Sequence, residues 1–158
     1  MQPASRRPAR PPTTPCRSRR LHGVDDPLVE TTRRLFEHFS RRDVPELLAL
    51  CDPEVEFLPV TAMVAADGEP YRGHDGISRY MGDIGRVWEE LTVEPLEFHR
   101  SGDDTVVAVG RVYAWGVGRV IDAPVGWLWR FGPDGRAVYG RVYENRRDAL
   151  EAGGIEAG

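Results

Sequence analysis

The sequence predicts an α+β fold in which helices come first and an antiparallel sheet follows. Apolar residues recur at helical spacing in the first half of the chain, whereas apolar and polar residues alternate over long segments of the second half. The stretches "SGDD" (101–104) and "GPDG" (132–135) separate those later segments and are typical of hairpin turns. Helices followed by a run of hairpin-connected strands define the α+β class.

Three helices are predicted before the long antiparallel run of strands, and one strand separates the second helix from the third. The first covers 28–39, where the apolar residues face one side. The second, "RDVPELLALC", begins at the N-cap Asp43 and is predicted to carry Cys51 on its buried face. The third follows the turn "YRGHDGISRYM" (71–81), where glycines supply backbone freedom and Asp75 favours a helix N-terminus.

Five strands and a short closing helix complete the predicted order. The segment "EVEFLPV" (54–60) alternates and is ended by a proline. The later strands are predicted at about 92–100, 104–116, 119–131 and 136–143. The stretch "DALEAG" (148–153) is predicted to be a helix that a glycine ends.

Composition separates an N-terminal tail from the folded domain. Residues 1–23 hold six arginines, several prolines and no acidic residue, so we expect a disordered tail there. The domain is predicted to span 24–153, with a flexible C-terminus at 154–158. The rest of the chain holds 15 basic and 25 acidic residues, a balance that argues against nucleic-acid binding.

Several chemistries and locations are disfavoured by the residues present. All 21 basic residues are arginine, which excludes lysine Schiff-base chemistry. Two cysteines and no paired histidines at ligand spacing predict neither a disulfide framework nor a metal site, and we expect no cofactor. Without a disulfide framework, the predicted location is a reducing cytoplasm. No apolar run approaches membrane-spanning length, so no membrane contact is expected.

The ordered set of segments resembles the SnoaL-like branch of the nuclear transport factor 2-like superfamily, which includes ketosteroid isomerases. The resemblance is carried by 35–57, by 71–81, by "IDAP" (121–124) with "WLWRFGPDGR" (127–136), and by "GRVYENRRDALEAGGI" (140–155). It implies a cone-shaped barrel, with a curved, mostly antiparallel sheet wrapped on three helices around a pocket. Because this fold hosts cyclases, isomerases, hydrolases and binders, the resemblance does not choose among them.

The catalytic residues that the resemblance would place in the pocket are replaced in this chain. The isomerase base falls near Phe57 or Leu58, the isomerase or cyclase acid at Trp127, and the helix tyrosine near Leu35. Proton abstraction next to a carbonyl needs a base within hydrogen-bond reach, so the isomerase mechanism lacks its base.

The epoxide-hydrolase carboxylates are replaced as well. The strand that would carry an Arg-x-Asp keeps Arg111 but has Tyr113 at the acidic position, and the last-strand acid falls at Arg141. The carboxylate pair that would activate water is therefore missing.

From these positions, alternation along the strands predicts an aromatic pocket with two arginines. The predicted ligand-binding residues are Arg111, Trp127, Trp129, Tyr139, Arg141 and Phe57. Such a site would take a small hydrophobic or acidic ligand, with the arginines holding a negative tip. The arginines could equally pair with carboxylates at the rim, and that alternative stays open.

Three residues are candidates for catalysis in this pocket: His74, Tyr113 and Tyr143. His74 is the best single acid or base by its unperturbed pKa, although a histidine at a helix start is more often a local hydrogen-bonding group.

Three functions remain open at this stage. The chain is either a cofactor-independent isomerase, cyclase or hydrolase of an apolar or carboxylate-bearing metabolite, a non-catalytic ligand-binding module, or a dimeric interaction domain. A homodimer is expected through an apolar sheet face formed by Val106, Ala108, Val112, Ala114 and Leu128.

Overall fold

The structure is a computed structural model that describes residues 26–59, 69–116 and 118–155. The predicted N-terminal tail lies outside the described residues. Within them are four helices, α1 (Pro27–Arg41), α2 (Val44–Ala49), α3 (Gly73–Val87) and α4 (Arg146–Ala152). The six strands are β1 (Cys51–Leu58), β2 (Tyr71–Arg72), β3 (Glu90–Ser101), β4 (Thr105–Gly116), β5 (Arg119–Phe131) and β6 (Ala137–Tyr143). The predicted α+β class is confirmed.

All six strands form one curved, open sheet in the order β2-β1-β6-β5-β4-β3. Strands β3 to β6 are successive antiparallel neighbours, as the predicted hairpins require. The exception to antiparallel pairing is β1, which lies parallel to β6, a strand far away in sequence. None of the described helices is both long enough and apolar enough to span a membrane.

The second helix is shorter than predicted. It ends at Ala49, and Cys51 is the first residue of β1 rather than the last residue of the helix. The Leu50 carbonyl accepts a hydrogen bond from the Ala137 N–H, and Cys51 pairs with Ala137. Cys51 fits the apolar spacing of the helix, but strand pairing with β6 determines its conformation.

The stretch 71–81 holds a short strand that sequence reasoning missed. Tyr71 and Arg72 pair with β1, and α3 begins directly at Gly73, whose φ is +73°. A Cβ at Gly73 would lie 3.2 Å from the Pro53 carbonyl oxygen, and one at Gly76 would lie 2.9 Å from the Tyr71 carbonyl carbon. Glycine is thus required for left-handed backbone at the first position and for close approach at the second.

The two faces of the sheet are covered differently. The concave face packs on α1, α2 and α3 and forms the main core. On the convex face, α4 covers one region only, where Ala149 and Leu150 pack against Val107, Val109 and Leu128. The end of this helix is followed by Ile155, whose N–H donates to the Leu150 carbonyl.

The apolar face predicted for a homodimer does not exist as one surface. Val106, Ala108 and Ala114 are fully buried in the main core on the concave face. Leu128 lies on the opposite face, and α4 covers it. The prediction of this interface is wrong. Both faces of the first half of β4 are apolar, so the alternation of apolar and polar residues could not show which face is buried in the main core.

An ion pair fixes the start of α1 to the end of β3. Both carboxylate oxygens of Asp26 lie 2.6 Å from the Arg100 Nη1 atom, and Asp26 Oδ1 also accepts from the N–H of Leu28 at 3.0 Å. Burial raises the pKa of Asp26, but the hydrogen bonds from Arg100 and the helix N-terminus outweigh this, so the pKa lies below its usual value.

We expect Asp26→Asn to lower the free energy of unfolding by about 1–2 kcal/mol at pH 7, because the cap is retained while the ion pair is lost. A carboxyl whose pKa is lowered by folding stabilises fully above its unfolded value of about 3.9, and that stabilisation is lost as the pH falls through the folded value. Urea unfolding should therefore show the gap between wild type and variant closing below about pH 4. A gap independent of pH would contradict this; Glu30→Gln, an exposed helix residue, is the control.

Candidate functional site

A cavity of about 350 Å³ lies between the concave face of the sheet and the end of α3. Its wall is formed by Pro59, Tyr80, Trp88, Leu91, Val93, Val112, Ala114, Ile121, Ala123, Val125, Trp127, Val142 and Glu144. Most of these side chains are apolar, and those on β4 and β6 are small or medium in size. The cavity exists because short side chains such as Ala114 and Ala123 face helices that do not fill the space.

A second cavity of about 60 Å³ adjoins the first and shares Tyr80, Val93 and Trp127 with it. The rest of its wall consists of Leu35, Phe36, Phe39, Leu47, Cys51, Phe57, Ile77 and Trp129. Its volume holds only one or two water-sized groups. The two cavities thus form a large chamber and a small one on either side of Trp127.

Aromatic contacts order the side chains around the two chambers. The rings of Trp127 and Phe36 meet edge to face with 4.8 Å between centroids. Phe57 and Trp129 are stacked at 5.4 Å with an interplanar angle of 5°. This stacking depends on Gly140, since a Cβ there would lie 2.4 Å from Trp129 Cζ3.

The chambers carry little charge. Glu144, an exposed residue directly after β6, is the one charged residue among the described residues lining the large chamber. Cys51 lies in the wall of the small chamber, and burial raises the pKa of its thiol to about 12. The thiol is therefore protonated near neutral pH and is not a nucleophile. In residues 26–59, 69–116 and 118–155, no three His, Cys, Asp or Glu residues cluster in a way that could hold a metal ion.

Comparison with known proteins identifies the family. The SnoaL-like domain matches residues 32–140. The chain belongs to the SnoaL-like domain family. An uncharacterized protein of Mycobacterium tuberculosis is 32% identical over 101 residues, which are 63% of this chain and 75% of that protein.

Solved structures place this SnoaL-like domain in the nuclear transport factor 2-like superfamily. An NTF2-like protein of unknown function from Burkholderia pseudomallei has a TM-score of 0.68 at 26% identity, over 80% of this chain and 96% of that one. A second Mycobacterium tuberculosis protein, solved in complex with estradiol-17β-hemisuccinate, has a TM-score of 0.65 at 19% identity. That likeness covers 78% of this chain and 96% of the other, and at this identity it shows the fold alone.

Three of the predicted ligand-binding residues of the SnoaL-like domain lie on the chamber walls. Trp127 faces both chambers, whereas Trp129 and Phe57 face the small one. On β5 the odd-numbered residues point to the concave face, as the sequence alternation predicted.

Arg111 and Tyr113 do not line either chamber, and the prediction that they face the pocket is wrong. They pair across the sheet with Pro124 and Asp122, the residues of β5 that alternate with the wall residues. Arg111 Nη2 donates to Asp122 Oδ1 at 2.8 Å on the exposed convex face, where Tyr113 is 40% exposed. Arg111 therefore pairs with a carboxylate, as the alternative interpretation predicted, but the ion pair lies on the convex face and not at the rim of the pocket.

Tyr139, Arg141 and Tyr143 also lie on the convex face, so their predicted position is wrong in the same way. Arg141 pairs with Leu128 across the sheet, and its guanidinium lies 4.8 Å from the ring centroid of Tyr143. Both tyrosines pack beside the cluster that α4 covers. The three residues are one position out of phase because the resemblance placed Arg141 in the pocket, whereas its neighbours Gly140 and Val142 pair with Trp129 and Trp127 on the concave face.

His74 is a structural hydrogen-bonding group in the first turn of α3. Its Nε2 atom lies 2.9 Å from the carbonyl oxygen of Cys51, which joins the helix start to the start of β1. The side chain is absent from the described lining of both chambers. The position of His74 thus fits the interpretation that it is a local hydrogen-bonding group.

Sequence reasoning missed most of the large chamber, including Trp88, Val112, Ala123 and Val142. For the residues on the strands, the signal that could have found them is small side-chain size. Along the second half of β4, small residues alternate with Arg111, Tyr113 and Trp115, and a wall around a cavity needs the small set.

Proposed function

We propose that this SnoaL-like domain binds a small, mainly apolar molecule in the large chamber. The observation that carries the proposal is the apolar chamber of about 350 Å³, walled by two tryptophans and aliphatic side chains. Ligand sites are typically concave, mainly apolar and largely preformed, with volumes of about 300–1,000 Å³. A flat or polycyclic molecule would gain aromatic contact with Trp127 and Trp88.

The chamber supports an uncharged ligand better than an acidic one. The acidic tip was expected because Arg111 and Arg141 were predicted to face the pocket, and both lie on the other side of the sheet. The charge at the wall is the carboxylate of Glu144, which would repel an anion. The mycobacterial neighbour solved with estradiol-17β-hemisuccinate supports the general class of an apolar polycyclic body.

We propose binding without assigning catalysis. The candidate catalytic residues His74, Tyr113 and Tyr143 lie outside the described chamber walls, where a bound molecule would not touch them. The homodimer and the cytoplasmic location stay predictions. If the dimer forms, its surface has to be one other than that predicted, and the convex face offers the exposed side chains of Trp115 and Val120.

Filling the chamber tests this proposal. Ala123→Trp places an indole in the cavity, and we expect it to weaken binding of a naphthalene probe such as 2-isopropenylnaphthalene at least tenfold, because the space is lost. The matched control is Val120→Trp on the same strand, since Val120 is 68% exposed on the convex face. Isothermal titration calorimetry should show wild-type affinity for the control.

Equal affinity of Ala123→Trp and wild type would contradict binding in this chamber. Thermal unfolding of each variant without probe shows whether the fold is intact before the affinities are compared.

A further inference from the structure

Glu144 is the one fully exposed residue among the described residues that line the large chamber. The other lining residues are buried or half-buried, so the chamber meets solvent beside this side chain. Two positions earlier on the same strand, Val142 pairs with Trp127 on the concave face. Alternation along the strand therefore brings Glu144 back to the concave side, at the mouth of the chamber.

The carboxylate of Glu144 is unpaired within the described part of the chain. It makes no hydrogen bond or ion pair with any described residue. Two arginines close in sequence are engaged elsewhere: the Arg141 guanidinium lies 4.8 Å from the ring centroid of Tyr143 on the convex face, and Arg146 pairs with Glu97 at 3.1 Å. A negative charge thus lies at the mouth of an apolar chamber whose described lining contains no cation.

We infer that the large chamber binds an amphiphilic amine, whose apolar body fills the chamber while its ammonium group stays at the mouth beside Glu144. The inference rests on the proposed function and names the polar end of the ligand. A carboxylate accepts hydrogen bonds and attracts a cation, so a protonated amine is the group that matches it. An anionic group at the same place would be repelled.

The exposure of Glu144 lets a cation bind without leaving water completely. An ammonium group that is buried in an apolar cavity is disfavoured strongly unless it is paired. At the mouth it would keep part of its hydration and gain the carboxylate, while the hydrocarbon body reaches Trp127 and Trp88 inside. Because ion pairs at exposed sites are weak, Glu144 would select among ligands and add little to the total affinity.

Three naphthalene probes of similar shape test this preference. These are 1-(2-naphthyl)ethylamine, which is protonated at pH 7, the neutral 2-isopropylnaphthalene, in which a methyl group replaces the ammonium group, and 2-naphthoate. Isothermal titration calorimetry gives the ratio of the amine affinity to the affinity of the neutral probe for each variant. An ionic strength of about 0.15 M screens exposed charges that lie farther than about 8 Å from the bound amine.

We expect Glu144→Gln to lower this ratio about threefold, because the charge is lost while the size of the side chain is kept. In Glu144→Lys the ratio should fall about tenfold, and 2-naphthoate should bind more tightly than it binds to wild type, because attraction and repulsion are exchanged. The matched control is Glu151→Gln, which should keep the wild-type ratio. Glu151 is also exposed, but it lies on α4, the helix that covers the convex face.

An unchanged ratio in Glu144→Gln would overturn the inference, as would a wild type that does not bind the amine. An equal fall in Glu151→Gln would also overturn it, because the net charge of the domain would then be the cause. In these results the neutral probe still binds, so the proposed function stands. The proposed function fails in a different way: the neutral probe does not bind to wild type, or Ala123→Trp does not weaken its binding.

Discussion

Replacing Trp127 with alanine is expected to lower the free energy of unfolding by about 3–5 kcal/mol. Trp127 is 5% exposed, contacts Phe36 edge to face and separates the two chambers. The variant loses the burial of a large aromatic side chain and merges the chambers into one larger void, and both effects destabilise. Urea unfolding at pH 7 measures the change.

The control for this variant is Trp115→Ala on the convex face. Trp115 is 39% exposed and its indole donates to Glu90 at the surface, so we expect a loss below about 1 kcal/mol. Similar losses for the two variants would contradict the assignment of Trp127 to the core. The affinity for 2-isopropenylnaphthalene should also fall in Trp127→Ala, because the contact that is lost is apolar.

Tyr71→Phe is expected to cost about 1.5–3 kcal/mol at neutral pH, a large effect for the removal of one oxygen atom. The Tyr71 hydroxyl donates to Asp83 Oδ2 at 2.6 Å, and both side chains are buried. Asp83 also pairs with Arg86, but the Arg86 side chain is 74% exposed. This ion pair is therefore weak and would offset little of the loss of the Tyr71 hydrogen bond. Without the hydroxyl, the Asp83 carboxylate loses its buried donor.

The same pair predicts how stability depends on pH in the alkaline range. Burial, together with the hydrogen bond to the Asp83 carboxylate, raises the pKa of Tyr71 to about 12. An unfolded tyrosine releases its proton near pH 10, so the stabilisation by folded, protonated Tyr71 is complete below about pH 10 and is lost as the pH rises towards 12. The stability gap between wild type and Tyr71→Phe should therefore close over that range in urea unfolding.

Tyr113→Phe provides the matched comparison for this effect. Tyr113 is 40% exposed on the convex face, and we expect its replacement to change stability by less than about 0.5 kcal/mol at neutral pH. A neutral-pH loss as large as that of Tyr71→Phe would show that the hydroxyl–carboxylate bond is not the cause.

The order and approximate bounds of the main strands followed from alternation and turn residues. β5 was predicted at 119–131 and β4 at 104–116, within one residue of the structure. Asp43 is the N-cap of α2, as predicted, and its side chain accepts from the Glu46 N–H. These features are local, and local backbone preferences were enough to predict them.

The assignment of side chains to faces succeeded on β5 and failed on β4 and β6 for a physical reason. In the first half of β4, residues 106–109 are all buried, because α4 covers the convex face there. Beyond that point the convex face carries Arg111 and Tyr113. The resemblance to an Arg-x-Asp strand placed Arg111 in the pocket, whereas Val112, one residue along, lines the chamber. On β6 the resemblance placed Arg141 in the pocket, one residue away from Val142, which lines the large chamber. Neither this phase nor the cover by α4 is visible in the sequence.

The parallel pairing of β1 with β6 has a consequence for how the protein folds and unfolds. Strands β3 to β6 can form from neighbouring hairpins, but Cys51 meets Ala137 only after a long intervening segment has closed. The small chamber lies across this junction, with Cys51 and Phe57 on one side and Trp127 and Trp129 on the other. A molecule that enters the adjoining large chamber also touches Trp127, and separation of the two halves would destroy its site. A molecule bound in the large chamber should therefore stabilise the domain against cooperative opening. Hydrogen exchange should slow in β1 and β6 as well as at the chamber walls.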